Sequence, residues 1–164
     1  MSLGLYLHIP YCFSKCRYCD FYSHPGERGV PEAYVDALLR ELSRFAPEAP
    51  LQPDTLYFGG GTPSLLRPEQ AKRLIDAARP MPGAEITLEA NPETVTEESL
   101  AGFREAGVNR ISFGVQSARD TQLRTLGRPH TAKQARAAFA AAQRAGFANI
   151  SGDIMLALPH YTVS

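Results

Sequence analysis

Apolar and polar residues follow two different periodicities along this chain, and the two alternate in a regular order. Short apolar runs typical of buried strands occur at residues 5–9, 54–58, 85–90, 110–115 and 149–158. Between these runs, apolar residues recur at three- and four-residue steps, which indicates helices with one buried face. A strand–loop–helix unit therefore repeats about every 30 residues, a length typical of parallel strands joined by helical crossovers.

Turn and capping residues mark where the predicted helices begin and end. Proline suits the first helical position, threonine caps an N-terminus, and glycine ends a helix in a left-handed turn. These signals predict helices from Pro31 to just before Pro47, from near Pro68, from Thr96 to Gly107, and from the capping box at Thr131 to Gly146. This order of elements predicts an α/β fold with a parallel sheet.

Glycines and polar residues come directly after the predicted strands. They are the loop that follows residues 5–9, the run 59–62, Glu89 with Asn91, Gln116 with Ser117, and Asp153. A β/α barrel builds its site at that end of the strands, whereas polar groups elsewhere in the strands would disturb a packed interior. The sequence therefore predicts a partial TIM-like (β/α) barrel of about five β/α units, with a site on its rim.

Composition and charge narrow the class of protein. The chain has 164 residues, 44% of them hydrophobic, which predicts one globular unit over residues 1–164. Seventeen basic and seventeen acidic residues cancel, so we expect no nucleic-acid partner. The N-terminus lacks a signal-peptide pattern, and no apolar run approaches the roughly 18 residues of a spanning helix. We therefore expect no stable membrane insertion and a cytoplasmic location, where thiols stay reduced.

All three cysteines lie in one predicted loop, as Cys12, Cys16 and Cys19; residues 12–19 are called the cysteine loop below. An odd number of cysteines at such short spacing disfavours disulfides. Thiolates in this pattern favour an iron–sulfur cluster or zinc. A cubane cluster held by three thiolates leaves one iron with an open position, where chemistry can take place. Zinc would need a fourth ligand, for which His8 or His24 is available.

The C-x3-C-x2-C spacing, opened by Tyr6-x-His-Ile-Pro and closed by Cys19-Asp-Phe, resembles the cluster loop of the radical S-adenosylmethionine (SAM) superfamily. Within it, the flanks resemble the group of the heme chaperone HemW and oxygen-independent coproporphyrinogen III oxidase. In that family three cysteines bind a 4Fe–4S cluster, SAM occupies the fourth iron, and the reduced cluster can cleave SAM to a 5′-deoxyadenosyl radical. The resemblance implies an iron-binding protein of porphyrin metabolism with an electron donor of the flavodoxin or ferredoxin type.

The same resemblance implies which rim residues contact SAM. Gly60, Gly61 and Thr62 match a segment that meets the SAM amino group, and glycine permits such close backbone approach. Glu89 matches the acidic residue of the family's Glu-x-Asn-Pro pattern, where a carboxylate can pair with the positive charge of SAM. The structural alternatives are a tight turn for the glycines and a solvated strand end for Glu89.

Four further positions match SAM contacts of the family. Gln116 matches an amide that contacts SAM, and Tyr6 matches a tyrosine near it. Arg128, in Leu126-Gly-Arg-Pro-His, matches an arginine that reaches the SAM carboxylate, a task that suits a bidentate guanidinium. Asp153 matches an aspartate that hydrogen-bonds the ribose hydroxyls. Roles in loop capping, turn formation or the core are the structural alternatives.

This sequence differs from the oxidase of this group in two features. The oxidase has a fourth cysteine two residues after the third, where this chain has Phe21, and a long N-terminal arm, where only eleven residues precede Cys12. Both favour the heme chaperone, which binds heme and passes it to acceptor proteins. The oxidase remains the alternative, and a structural zinc-binding module is a further one. SAM cleavage is possible in principle in either member of the group.

The C-terminal end also departs from the family. The family pattern continues past the segment that begins here at Ala157, through at least one more β/α unit and a C-terminal domain. We therefore expect residues 1–164 to be an incomplete radical SAM core whose sheet has open edges.

Overall fold

The computed structural model describes residues 2–45 and 51–158, and in it five strands form one parallel sheet. Its elements in chain order are β1 (Gly4–Ile9), β2 (Tyr11–Cys12), β3 (His24–Pro25), α1 (Glu32–Phe45), β4 (Thr55–Gly60), α2 (Pro68–Ala78), β5 (Glu85–Ala90), α3 (Glu97–Ala106), β6 (Arg110–Gln116), α4 (Asp120–Leu126), α5 (Ala132–Arg144) and β7 (Asn149–Ile154). The sheet order is β1-β4-β5-β6-β7, and every pair in it is parallel.

Helices α1, α2, α3 and α5 pack side by side in the same order as the strands they connect. This arrangement follows when each crossover returns to the same face of the sheet. The predicted parallel topology is confirmed. No helix within residues 2–45 and 51–158 is long and apolar enough to cross a membrane.

The apolar core lies between the sheet and the helices. Alternate strand residues face the helices and are buried: Leu7, Ile9, Leu56, Phe58, Leu88, Ile111 and Phe113. Burying a side chain of this size contributes roughly 1.5–3 kcal/mol. Because a one-residue slip would move the whole set to the other face, this layer also fixes the strand register.

The opposite face of the sheet, called the inner face below, is polar along its length. Its residues are Tyr6, His8, Tyr57, Thr87, Glu89, Arg110, Ser112, Ser151 and Asp153. They contact one another: the Tyr57 hydroxyl donates to Glu89 at 2.8 Å, and Arg110 Nη2 donates to Ser151 Oγ at 2.9 Å. Polar residues therefore lie along the strands of this face as well as at the rim.

One helix was not predicted, and one strand ends earlier than the sequence indicates. Helix α4 was not predicted, since its seven residues bury only Leu123 and Leu126 and are too few to show a helical period. The fifth strand was expected to run to residue 158 but ends at Ile154, and Ala157 has a left-handed φ of 54° that an extended strand cannot hold. The first helix is described to its end at Phe45, and the predicted stop at Pro47 lies outside the described residues.

Candidate functional site

A cavity of about 140 Å³ lies at the C-terminal ends of the strands, and it is called the rim cavity below. All three cysteines line it. So do seven of the eight residues that resemble SAM contacts, namely Gly60, Gly61, Thr62, Glu89, Gln116, Arg128 and Asp153. Residues from widely separated loops of the sequence are therefore brought to one place, as the rim prediction requires.

Backbone hydrogen bonds fix the cysteine loop at its start and in its middle. Strand β2 carries Cys12 and pairs with β3, and the Glu27 amide donates to the Cys12 carbonyl at 3.1 Å. In the middle of the loop, the Arg17 amide donates to the Leu126 carbonyl at the end of α4, also at 3.1 Å. Within the loop, the Cys19 amide donates to the Cys16 carbonyl at 3.2 Å, so local and tertiary contacts together hold it.

A chain of hydrogen bonds connects a buried arginine with two of the three free thiols. Arg128 Nη1 donates to Cys16 Sγ at 3.3 Å, and its Nη2 donates to Asn91 Oδ1 at 2.6 Å. Asn91 Nδ2 donates to Thr62 Oγ1 at 3.1 Å, and this hydroxyl donates to Cys12 Sγ at 3.6 Å. These contacts hold the Cys12 and Cys16 side chains at the wall of the rim cavity.

Arg128 is 9% exposed, and its environment keeps it charged. Burial by itself lowers the pKa of Arg128, but the hydrogen bond to Cys16 and the charges of Tyr18, Cys16 and Glu93 outweigh burial and raise it. In turn, burial is the main reason that the pKa of Tyr18 is raised to about 12, so its phenol stays neutral. Arg128 Nε is buried without a hydrogen-bond partner within the described part of the chain.

His130 holds the segment that carries Arg128. Its side chain is fully buried, with Nδ1 3.0 Å from Glu93 Oε2 and Nε2 3.1 Å from the Val115 carbonyl oxygen. His130 therefore connects the loop after β5 with the end of β6, beside the guanidinium of Arg128. The sequence motif did not indicate this role.

Glu89 lies at the boundary between the rim cavity and the inner face. Its carboxylate accepts from the Gly60 amide at 3.2 Å and from the Tyr57 hydroxyl at 2.8 Å. Burial, followed by this hydrogen bond, raises the pKa of Tyr57 well above its ordinary value. Gly60 has φ 115°, which places its amide in a conformation that L side chains rarely adopt.

Tyr6 is the one predicted contact that does not line the rim cavity. Its ring stacks on Tyr57 with centroids 6.0 Å apart, and its hydroxyl hydrogen-bonds His8 Nδ1 at 3.2 Å. The ring is 53% exposed on the inner face. Tyr6 therefore lies below the cavity, on the surface that leads into it.

The end of β6 contributes residues that the sequence reading did not single out. Ser112 and Gly114 line the rim cavity, and their alternation with Gln116 could have identified them. Gln116 has φ 65° beside a β-bulge, a distortion that re-aims a side chain. A methyl group on Gly114 would lie 2.8 Å from Arg128 Nη2, so glycine leaves room for the guanidinium. Asp153 is exposed at the cavity edge.

The donor set fits a cluster better than a single metal ion. Among the described residues, no group of three or more His, Cys, Asp or Glu side chains is arranged to hold a metal ion. The ring nitrogens of His8 hydrogen-bond Tyr6 and the Tyr22 carbonyl, and His24 does not line the cavity, so neither supports the zinc alternative. The thiolates of a cubane bind different irons and need not converge on one point.

The cavity also offers unsatisfied hydrogen-bonding groups to a ligand. The Ser23 hydroxyl belongs to its lining and, within the described residues, is buried without a partner, as is Arg128 Nε. Buried polar groups are normally paired, so an orphan at a cavity is a reason to expect a bound group there. Three thiols, a charged guanidinium and a carboxylate suit a cluster together with a zwitterionic ligand.

The family model of the Radical SAM superfamily matches residues 6–164. Heme chaperone HemW of Escherichia coli (strain K12) is 43% identical over 163 residues, which cover 96% of this chain and 43% of that protein. The Bos taurus protein named radical S-adenosyl methionine domain-containing protein 1, mitochondrial, is 42% identical over 164 residues, covering 95% of this chain and 36% of that protein. This chain therefore spans less than half the length of both relatives.

Among solved structures, coproporphyrinogen III oxidase (HemN) from Escherichia coli, described as a radical SAM enzyme, matches with a TM-score of 0.84 and 30% sequence identity. The match covers 98% of this chain and 38% of HemN. The predicted fold, an α/β partial barrel with a five-stranded parallel sheet, is confirmed by this similarity.

Proposed function

This chain belongs to the radical SAM superfamily, and on that premise we propose that residues 1–164 are part of a radical SAM core that binds a 4Fe–4S cluster and SAM. Cys12, Cys16 and Cys19 are the cluster ligands, and the fourth iron is left for SAM. One observation carries the proposal: the three free thiols line the same rim cavity as the polar residues from four other strand ends.

Different polar residues of the rim cavity contact different chemical groups of SAM. Arg128, charged and with Nε unpaired, takes the SAM carboxylate, because a guanidinium matches a carboxylate in shape and charge. Glu89 pairs with the positive charge of SAM, and the backbone of Gly60 and Gly61 approaches the amino group beside it. Thr62 supports Cys12 from the same turn.

Three residues remain for the outer part of the ligand. Gln116 contacts SAM from the bulge at the end of β6, and Asp153 accepts from the ribose hydroxyls at the exposed edge. Tyr6 contacts the ligand only from below the cavity. When bound, the cluster supplies an electron and SAM supplies a cleavable carbon–sulfur bond, while the protein supplies position and charge.

For the role of the whole protein, we propose heme handling of the HemW kind, in which heme is cargo passed to an acceptor protein. The support is about 40% sequence identity to proteins named heme chaperone HemW from several bacteria. Phe21, where the oxidase has its fourth cysteine, is 67% exposed beside the cysteine loop. With Phe13 and Tyr22, also exposed, it offers an apolar surface to a flavodoxin- or ferredoxin-type electron donor. The proposed location is the cytoplasm.

Anaerobic reconstitution of the chain with iron and sulfide tests the cluster. We expect about four irons per chain and a broad visible absorbance that bleaches on reduction. Cys16→Ala should lose most of the iron and colour, because two thiolates cannot hold a cubane with one open corner. Ser14→Ala is the matched control, since Ser14 lines the same cavity without a thiol. Unchanged iron content in Cys16→Ala, or stoichiometric zinc in place of iron in the wild type, would contradict the proposal.

A further inference from the structure

Ser23 carries a buried hydroxyl that has no hydrogen-bond partner within residues 2–45 and 51–158. The residue lines the rim cavity together with all three cysteines. A buried hydroxyl without a partner costs free energy, and such groups are uncommon in folded proteins. An acceptor bound in the cavity would remove this cost.

The other serine and threonine hydroxyls of the cavity lining already have partners or are exposed. The Thr62 hydroxyl donates to a thiol, and the Ser112 hydroxyl hydrogen-bonds Ser151 Oγ at 2.9 Å. Ser14 is exposed, so water can satisfy its hydroxyl. Ser23 therefore differs from the other hydroxyls of the lining in being both buried and unpaired.

Hydrogen bonds on both sides of Ser23 hold its backbone in place. His8 Nε2 donates to the Tyr22 carbonyl at 3.1 Å, and the His24 amide donates to the Pro10 carbonyl at 2.6 Å. With both neighbours bonded, the Ser23 hydroxyl can turn about the Cα–Cβ bond but stays at the cavity lining. Its partner must therefore come to the cavity.

The three thiols differ in the side-chain donors that reach them. Two of them accept a hydrogen bond from a side chain. The third, Cys19 Sγ, accepts none in the part of the chain that the structure describes. Ser23 follows Cys19 by four residues and lines the same cavity. A sulfur without a donor and a hydroxyl without an acceptor are thus carried by the same short segment.

Ser23 adjoins the cavity from the side opposite to the residues proposed for the SAM carboxylate and ribose. Its segment is bonded to His8 of β1, whereas Arg128 is bonded to the end of β6 and Asp153 lies on β7, at the other edge of the sheet. The positive amino group of SAM is better matched by the Glu89 carboxylate than by a neutral hydroxyl. The acceptors that remain on the side of Ser23 are the sulfurs of the cluster.

We propose that the Ser23 hydroxyl donates a hydrogen bond to a cluster sulfur on the side of Cys19, and so makes the cluster easier to reduce. This inference rests on the proposed function, which supplies the cluster. Hydrogen bonds to sulfur are one determinant of the reduction potential of iron–sulfur clusters. The reduced cluster carries one more negative charge, so a donor stabilises it more than the oxidised cluster and raises the potential.

A potentiometric titration of the reconstituted chain, followed by electron paramagnetic resonance of the reduced cluster, tests this role. Ser23→Ala should make reduction about tenfold less favourable, which is a shift of about 59 mV to lower potential for one electron. Ser23→Thr keeps a hydroxyl and should restore most of the wild-type potential. Ser14→Ala is the matched control and should titrate as the wild type, because Ser14 lines the same cavity but is exposed.

The chain without a cluster gives a second readout. Ser23→Ala removes an unpaired polar atom, so the unloaded variant should be at least as resistant to urea as the unloaded wild type. A lower urea midpoint would show that the hydroxyl is bonded within the protein, and it would overturn the inference.

The remaining outcomes separate this inference from the proposed function. An unchanged or higher potential in loaded Ser23→Ala overturns the role of Ser23 and leaves cluster binding intact; weaker SAM binding by calorimetry at an unchanged potential assigns the hydroxyl to SAM instead. Loss of iron from Ser23→Ala that Ser23→Thr restores supports the inference, whereas loss from both variants overturns it. A wild-type chain that takes up no cluster overturns both the inference and the proposed function.

Discussion

Gly61 lies where the turn after β4 meets residues 9–12, which lead from β1 into the cysteine loop. A methyl group at this position would be 2.7 Å from the Tyr11 carbonyl oxygen and 3.0 Å from both the Ile9 carbonyl oxygen and Cys12 Sγ. Two of these atoms are backbone, so they cannot rotate away as a side-chain end could. The backbone of Gly61 also donates to the Ile9 carbonyl at 2.9 Å, which fixes the turn against β1. Glycine at this position is therefore a requirement of packing as well as of ligand approach.

Gly61→Ala should impair cluster uptake, because relieving the clash must displace either the turn or Cys12. We expect the iron content after anaerobic reconstitution to fall by at least half, and SAM binding measured by calorimetry to weaken in parallel. Gly29→Ala is the control, since a methyl group there would have only an ordinary contact at 3.9 Å with Leu65. A Gly61→Ala protein with wild-type iron content would show that the turn adapts without cost.

Helix α5 illustrates how local sequence specifies an element near the site. The Thr131 hydroxyl accepts from the Gln134 amide at 3.2 Å, and Gln134 Oε1 accepts from the Thr131 amide at 2.8 Å, so the predicted capping box is confirmed. Helix α3 has the same arrangement, with Thr96 and Ser99 as the pair. The segment that carries Arg128 and His130 ends at this cap, so the start of α5 also anchors the site.

Thr131→Ala should lower the free energy of unfolding by about 1 kcal/mol, the usual cost of losing a threonine N-cap. Urea denaturation followed by circular dichroism measures this change. Lys133→Ala serves as the control, because Lys133 is exposed in the first turn of the same helix, and its loss should stay within about 0.5 kcal/mol. Equal stability of Thr131→Ala and wild type would mean that tertiary packing alone fixes the start of α5.

The sheet as a whole is open, and its inner face and outer strands are accessible. β1 and β7 are the edges of the five-stranded sheet, and Ile154 on β7 is 68% exposed. Such an edge can pair with another chain. Several tyrosines stand in partly buried positions near carboxylates. The pKa values of these tyrosines therefore depend on how the folded chain buries them.

Stability should fall at alkaline pH because several tyrosines hold their protons more tightly in the folded protein. Burial is the first cause of the raised pKa of Tyr6, Tyr11, Tyr34 and Tyr57. A raised pKa in the folded state gives stability that is fully present below the ordinary tyrosine pKa of 10.0 and is lost as pH rises above it. Denaturant midpoints measured from pH 8 upward should therefore decline beyond about pH 10.

One variant and its control isolate the contribution of Tyr57 to the loss of stability above pH 10. Tyr57→Phe loses the hydrogen bond to Glu89 and should start from a lower midpoint at neutral pH, yet decline less steeply above pH 10. Ser43→Ala, on the exposed surface of α1, should keep the wild-type slope. Identical slopes in all three proteins would show that tyrosine burial does not govern the alkaline transition.

Much of the fold and part of the site followed from the sequence alone, because the signals involved are local. Apolar periodicity and capping residues determined the order of strands and helices, since burial on one face and an N-cap each depend on a few neighbouring residues. The cysteine spacing and its flanks determined the family resemblance. Short α4 was missed because seven residues give too little periodicity to read.

Only the tertiary structure decided how these residues meet. Arg128 contacts Cys16 across 112 positions of sequence, and Tyr6 lies below the rim cavity although Cys12 of the same motif lines it. The register of β6 places Arg110 beside hydroxyls from both neighbouring strands, Thr87 and Ser151. Sequence patterns report which side of an element is buried, whereas strand register and packing determine which distant side chains share a cavity.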